Sequence, residues 1–135
     1  DVESWSWGET QQGTASQGGG MGAGKVTMQD FHFVMRVNKA SPVLLQNCAS
    51  GKHIPSATLE AFKAGEEGQK YLAMKFTDLI VSSFQTGGSS AVEIPLDQIS
   101  FTSSKIEYAY FIKDKSGKTT STGNVGWDLK ENKKV

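Results

Sequence analysis

Apolar and polar residues alternate with a period of two over most of this chain, and that pattern predicts β-strands. Leu72, Met74 and Phe76 alternate with polar residues in one stretch, and a second stretch places Ile106, Tyr108, Tyr110 and Ile112 on one face. The predicted strands cover residues 2–7, 25–37, 56–64, 69–84, 92–103, 105–114 and a last short strand at Val125, Trp127 and Leu129.

The strand predicted over residues 25–37 changes which face its apolar residues occupy. Val26 and Met28 lie at even positions, whereas Phe31 and Phe33 lie at odd ones. Such a switch predicts a bulge or bend near Gln29 and Asp30.

One segment departs from the strand pattern and predicts a short helix over Ser41–Ser50. Ser41 suits an N-cap, Pro42 the first helical position and Gly51 the position after the helix. Its predicted buried stripe comprises Val43, Leu44 and Cys48. Many strands with one short helix predict a mainly β single domain over residues 1–135, built as an antiparallel two-sheet β-barrel or sandwich.

Residues 8–24 are polar and glycine-rich and are predicted to form a long loop, of the kind that is usually functional or disordered. Residues 19–25 match the spacing G-x-x-x-x-G-K of a phosphate-binding loop. Val26 stands where that motif needs Ser or Thr, and a strand pattern follows instead of a helix. The segment is therefore predicted not to bind nucleotide.

Charge and composition exclude few functions. Lys+Arg and Asp+Glu balance at 14 each, and Arg36 is the sole arginine, which argues against nucleic-acid binding. The single cysteine, Cys48, excludes an intramolecular disulfide. No apolar run reaches the length of a membrane span. Because the chain begins at Asp1 inside a predicted strand, we expect that N-terminal residues precede it in the whole protein.

The search for catalytic chemistry predicts no enzyme, cofactor or metal site. His32 and His53 are interpreted as structural, and Cys48 as a small core residue. Glu93 and Asp97 are the best carboxylate pair for a glycosidase, but nothing in the sequence fixes their separation. Trp5 and Trp7 share a strand face; core filling is the favoured interpretation, and a carbohydrate-binding β-sandwich is the alternative.

Several stretches in order resemble one family. The first stretch, Ser4–Gly8, leads into the glycine-rich loop, and the next covers residues 29–31. Two stretches mark the ends of the helix, at residues 39–42 and 48–52, and the last two cover residues 79–88 and 126–128. This set resembles Hcp, the haemolysin-coregulated tube protein of bacterial type VI secretion systems, although the chain lacks the family's first strand and loop.

The resemblance implies a non-enzymatic tube subunit that forms stacked hexameric rings. The implied partners are further copies of the chain, secreted effectors, and the spike and sheath of the apparatus, with neither nucleic acid nor membrane insertion. The protein would lie in the bacterial cytoplasm before firing and be secreted afterwards. The family's inter-ring loop maps onto residues 8–24, with ring-stacking positions at Gly18, Gly19, Gly20, Met21, Gly22 and Gly24. A subunit-contact loop maps onto Thr86, Gly87, Gly88 and Ser89.

Overall fold

The computed structural model describes residues 1–11, 13–15, 21–22, 24–65 and 68–135. In these ranges the elements are β1 (Ser4–Ser6), β2 (Glu9–Gln11), β3 (Thr14–Ala15), β4 (Met21–Gly22), β5 (Val26–Met28), β6 (Phe31–Arg36), α1 (Ser41–Ser50), β7 (Ile54–Phe62), β8 (Lys70–Gly87), β9 (Leu96–Lys113), β10 (Thr119–Asp128) and β11 (Lys133–Lys134). The predicted class, mainly β and antiparallel with one short helix, is confirmed. Strand pairing in the described residues does not close into a barrel, so a sandwich fits better.

The chain divides into two compact units, and β8 and β9 contribute residues to both. Unit 1 comprises residues 1–53 and 80–102. In it β1 pairs with β6, and β6 pairs with the first part of β9. Its core contains Phe31, Met35, Val81, Ile99 and Phe101.

Aromatic side chains organise the core of unit 1. The rings of Phe31 and Phe101 stack with centroids 5.0 Å apart. Trp5 stacks on the Phe31 ring at 6.2 Å, yet 41% of its surface stays exposed. Trp7 is half-buried. The core-filling interpretation of Trp5 and Trp7 therefore holds in part, because Trp5 caps the core from its edge.

Unit 2 comprises residues 54–79 and 103–135. There β7 pairs with β8, the second part of β9 pairs with β10, and β10 pairs with β11. The predicted alternation of Leu72, Met74 and Phe76 places all three in the core, joined by Leu79 and Ile106. Burial of these side chains removes apolar surface from water and stabilises the sheet.

Irregular backbone positions explain two changes of buried face. Gln29 and Asp30, where a bulge or bend was expected, lie outside the strands and separate β5 from β6. In β8 the buried positions pass from Phe76 to Leu79, and Asp78 between them has a φ of 53°. One residue in the left-handed region shifts the alternation by one position. The sequence had predicted the first irregularity but not the second.

The helix has its predicted bounds, but not its predicted contacts. Gly51 has a φ of 67° and its N–H donates to the Asn47 carbonyl at 3.0 Å, as expected for the residue after a helix. The N-cap prediction for Ser41 is wrong, since helical backbone already begins at Ala40 without a side-chain cap. The predicted buried stripe is also wrong: Val43 is 58% exposed, and Leu44 and Cys48 are only half-buried.

The two strands predicted over residues 92–103 and 105–114 form one strand, β9. Residues 92–95 precede it in the connection from β8. The strand predicted near Val125 begins earlier, at Thr119. A turn with Gly117 at a φ of 88° joins β9 to β10. The long paired strands override the weak strand propensity of their Ser, Lys and Asp residues.

Candidate interaction surfaces

The described residues of the segment 9–28, which we name the arm, form two short strand pairs where the sequence predicted a loop. Glu9 pairs with Met28 and Gln11 with Val26 in β2 and β5, and the Gln29 N–H donates to the Gly8 carbonyl at 2.8 Å. Further out, Thr14 of β3 pairs with Gly22 of β4. In the part of the chain that the structure describes, these two pairs are separate from the larger sheet.

The ring-stacking positions that the resemblance placed in this arm are partly visible. Gly18, Gly19 and Gly20 lie outside the described residues. Met21 and Gly22 form β4, and the half-buried Gly24 comes shortly before β5.

A row of apolar side chains on unit 2 is exposed. We name Tyr108, Tyr110, Ile112 and Val125 the aromatic stripe. Their exposed fractions are 41, 45, 42 and 60%. Val125 lies directly opposite Tyr108 across the β9–β10 pairing. The sequence predicted that Tyr108, Tyr110 and Ile112 share a face, but not that the face is uncovered.

The same face of β9 is buried at its other end, which lies at Ile106. Ile106 is 4% exposed and lies opposite Trp127. A Cβ added to the neighbouring Gly126 would lie 2.9 Å from the Ile106 carbonyl oxygen, so β10 approaches β9 too closely there for a larger residue. The face therefore runs from a packed end at Ile106 to an open end at Ile112.

The turn beyond the stripe has a net positive charge, because it contains two lysines and one carboxylate. The Asp114 carboxylate accepts hydrogen bonds from the Ser116 hydroxyl at 2.6 Å and from the Ser116 and Lys118 N–H groups at 2.9 Å each. These bonds, that from the Ser116 hydroxyl first, lower the pKa of Asp114 below its ordinary value. Lys115 and Lys118 are exposed. Among the described residues, neither lysine forms an ion pair with the Asp114 carboxylate.

An open cavity on unit 1, which we name the Val92 cavity, has a volume of about 360 Å³. It is lined by Glu3, Arg36, Val92, Glu93, Ile94 and Leu96. Val92, Ile94 and Leu96 are 51, 40 and 38% exposed. Val92 and Ile94 were not among the site residues predicted from the sequence. The signal available in the sequence was the presence of three large aliphatic residues, Val92, Ile94 and Leu96, shortly after a run of Gly and Ser residues.

Two of the three charged side chains at the Val92 cavity pair with each other, and the third does not. Arg36 Nε donates to Glu3 Oε1 at 3.0 Å. Glu93 is exposed and has no ion-pair partner in the described residues. The cavity rim therefore carries a net negative charge from Glu93.

The predicted subunit-contact loop is exposed at all four positions. Thr86 and Gly87 end β8 and line a second open cavity of about 400 Å³ with Gln85, Leu96 and Gln98. The Ser89 carbonyl accepts a hydrogen bond from the Val92 N–H at 3.1 Å. At Gly88 an added Cβ would lie 3.3 Å from the Pro95 ring, so this turn is tightly folded.

The residues that the sequence offered as catalytic candidates lie in different structural environments. Asp97 is 1% exposed; its Oδ2 accepts from the Ser41 hydroxyl at 2.5 Å, and its Oδ1 has no partner in the described residues. Glu93 is exposed at the cavity rim, so the structure gives these two carboxylates different environments. His32 Nδ1 lies 3.0 Å from Ser100 Oγ.

His53 is exposed and Cys48 is half-buried. Residues 1–11, 13–15, 21–22, 24–65 and 68–135 contain no group of three metal-ligating side chains. No helix in those same ranges is long and apolar enough to cross a bilayer.

Comparison with known proteins confirms the resemblance drawn from the sequence. The family model described as "Type VI secretion system effector, Hcp" matches residues 1–110. Protein hcp1 of Pseudomonas aeruginosa is 37% identical over 110 residues, which are 80% of this chain and 68% of that protein.

Solved structures agree. One described as a type six secretion system protein superposes with a TM-score of 0.89 at 28% identity, covering 99% of this chain and 85% of the other. Hcp1 from Salmonella typhimurium superposes with a TM-score of 0.75 at 32% identity, covering 99% and 82%. The chain therefore belongs to the Hcp family, the secreted tube proteins of type VI secretion systems.

Proposed function

We propose that this chain is a structural, non-enzymatic subunit of a type VI inner tube, and that it assembles into hexameric rings which stack. The observation that carries the proposal is the extent of the likeness: a solved type six secretion system protein shares its fold over 99% of the chain.

Ring formation requires that each copy contact its neighbour through two different surfaces, with a rotation that closes. The chain exposes large apolar side chains on both units, which supports contact with other copies. The tightly folded turn containing Thr86, Gly87, Gly88 and Ser89 is a further contact between subunits in this proposal.

The arm of residues 9–28 is proposed to contact the next ring of the stack. In the described residues each of its two strand pairs is a separate two-stranded sheet, so the outer edges can meet another backbone. The glycine positions Gly18, Gly19, Gly20, Gly22 and Gly24, with Met21, supply the proposed stacking contacts because glycine permits close approach.

The finer roles follow from tube assembly. The rings would carry effector proteins in their channel, join the spike and sheath, remain in the bacterial cytoplasm before firing and leave the cell with the expelled tube. No comparison favours the carbohydrate-binding alternative, and Trp5 uses one ring face to stack on Phe31.

Light scattering coupled to size-exclusion chromatography, followed by negative-stain electron microscopy, tests ring formation. We expect a species with the mass of six subunits and round particles with an open centre. A chain that remains monomeric at every concentration up to the millimolar range contradicts the proposal.

Hydrogen exchange tests the role of the arm separately. Amides of β2 and β5 should gain protection when isolated rings stack into tubes, while amides of the buried strand β6 should not change. Equal protection of β2 in rings and tubes would remove the arm from the stacking contact and leave ring formation intact.

A further inference from the structure

We propose that the aromatic stripe of one copy packs against the Val92 cavity of the next copy, with Lys115 and Lys118 placed beside Glu93. This interface rests on the proposed ring assembly and adds which two surfaces of this chain meet.

Both surfaces are apolar and exposed, although both belong to well-packed units. The stripe presents two tyrosines and two aliphatic residues on adjacent strands, and tyrosine is enriched in protein interfaces. The cavity presents Val92, Ile94 and Leu96 around an open volume of about 360 Å³, large enough for an aromatic side chain. Placing one against the other would remove apolar groups of both from water.

Charge complementarity points to a second copy as the occupant. By sequence, unit 1 has six carboxylate and four basic side chains, whereas unit 2 has eight carboxylate and ten basic ones. The chain is neutral as a whole, but its units carry formal charges of about −2 and +2. Opposite charges steer unit 2 of one copy towards unit 1 of another.

The same complementarity holds at the two surfaces. At the stripe, the two positive charges of Lys115 and Lys118 exceed the single negative charge of Asp114, so these three residues have a net charge of +1. At the cavity, Arg36 is neutralised by Glu3, so Glu93 supplies the excess charge. Each surface lacks the partner that the other provides.

Because the two surfaces are different, the contact is heterologous. Every copy that uses its stripe leaves its cavity available to another copy, and this is the requirement for a ring. An isologous dimer would instead place stripe against stripe and bring four lysines together, which like-charge repulsion disfavours.

Charge reversal tests this pairing in the full chain. The stripe variant carries Lys115→Glu with Lys118→Glu, and the cavity variant carries Glu93→Lys. In either variant alone the two surfaces have charge of the same sign, so we expect at least a tenfold rise in the apparent dissociation constant of the ring. In an equal mixture each variant meets opposite charge on the other, so assembly should return as alternating copies.

Lys52→Glu with Lys63→Glu is the matched control. It changes the net charge as much as the stripe variant but alters exposed lysines that line neither surface. It should assemble like the wild type. Thermal unfolding followed by circular dichroism verifies that each variant is folded. A Lys→Glu variant that does not fold is replaced by one that carries Lys→Gln at the same positions.

The outcomes separate the interface from the proposed function. Wild-type rings together with impaired single variants and a restored mixture support the pairing. Wild-type rings with unimpaired variants, or with a mixture that fails to recover, overturn it while leaving the tube function intact. A wild type that never assembles overturns the tube function and the interface with it.

Discussion

The two halves of strand β9 carry similar apolar alternation but have opposite burial. In the first half, which belongs to unit 1, Ile99 is fully buried and Phe101 is 6% exposed. In the second half, which belongs to unit 2, Tyr108, Tyr110 and Ile112 are each more than 40% exposed. An alternating pattern thus defines a face of a strand, but it does not tell what covers that face.

The difference identifies which side chains stabilise a single copy and which are available to a neighbour. Phe31 and Phe33 of β6 pack around Phe101 within unit 1. At the open end of the stripe, Tyr110 and Ile112 instead lie opposite the small β10 residues Gly123 and Thr120. We therefore expect substitutions in the first half to change folding stability and those in the second half to change assembly.

The largest effect is expected for Ile99→Ala. Removing three buried carbon atoms leaves a cavity in a packed core, which costs about 2–5 kcal/mol of unfolding free energy. Urea unfolding under conditions that keep the protein monomeric measures it. Ile112→Ala is the matched control on the same strand and should change the free energy by less than about 0.5 kcal/mol. Equal losses would abolish the distinction between the two halves.

A smaller effect is expected for Asp97→Ala, which tests how the first half of β9 holds helix α1. The substitution leaves the buried Ser41 hydroxyl without its acceptor and should cost about 1–3 kcal/mol in urea unfolding. Asp97→Asn keeps an acceptor oxygen of the same shape and should cost less. If both variants lose the same free energy, the negative charge matters more than the hydrogen bond.

For the second half, Ile112→Ala should weaken assembly about tenfold, which corresponds to about 1.4 kcal/mol. Its unfolding free energy as a monomer should stay nearly unchanged, because the side chain is already exposed. Sedimentation velocity over a concentration series measures the effect. Val43→Ala, which truncates an exposed helix residue away from the stripe, is the control. Normal assembly of Ile112→Ala would argue that the stripe has no partner.

The smallest effect concerns pH at the turn that ends β9. Because the folded-state pKa of Asp114 is lowered, its contribution to stability is present above the unfolded-state pKa and lost as pH falls through the folded-state value. An NMR titration should place its carboxyl pKa below 3.8. Ser116→Ala removes the first cause and should raise that pKa towards its ordinary value. An unshifted carboxyl in the wild type would contradict the hydrogen bonding of this turn.

Local rules were sufficient where a few neighbouring residues decide the structure. Gly51 ends the helix because glycine accepts a left-handed backbone, and the change in apolar positions before Phe31 coincides with the break between β5 and β6. The ordered motifs also identified the family. The sequence predicted a wrong role where the hydrogen-bond partner lies far along the chain. Serine is a residue type favoured at N-caps, yet the Ser41 hydroxyl donates to Asp97, which is 56 positions away.

The sequence alone determined the β-class, the helix bounds and the shared face of Tyr108, Tyr110 and Ile112, because period and local propensity depend on adjacent residues. Only the tertiary structure decided which faces are covered, that β2 pairs with β5 in the arm, and that Val92, Ile94 and Leu96 surround a cavity with Arg36 and Glu3. Burial depends on what the rest of the chain places against a face. The alternation of residues 106–112 is therefore the same whether that face meets its own core or the next copy of the protein.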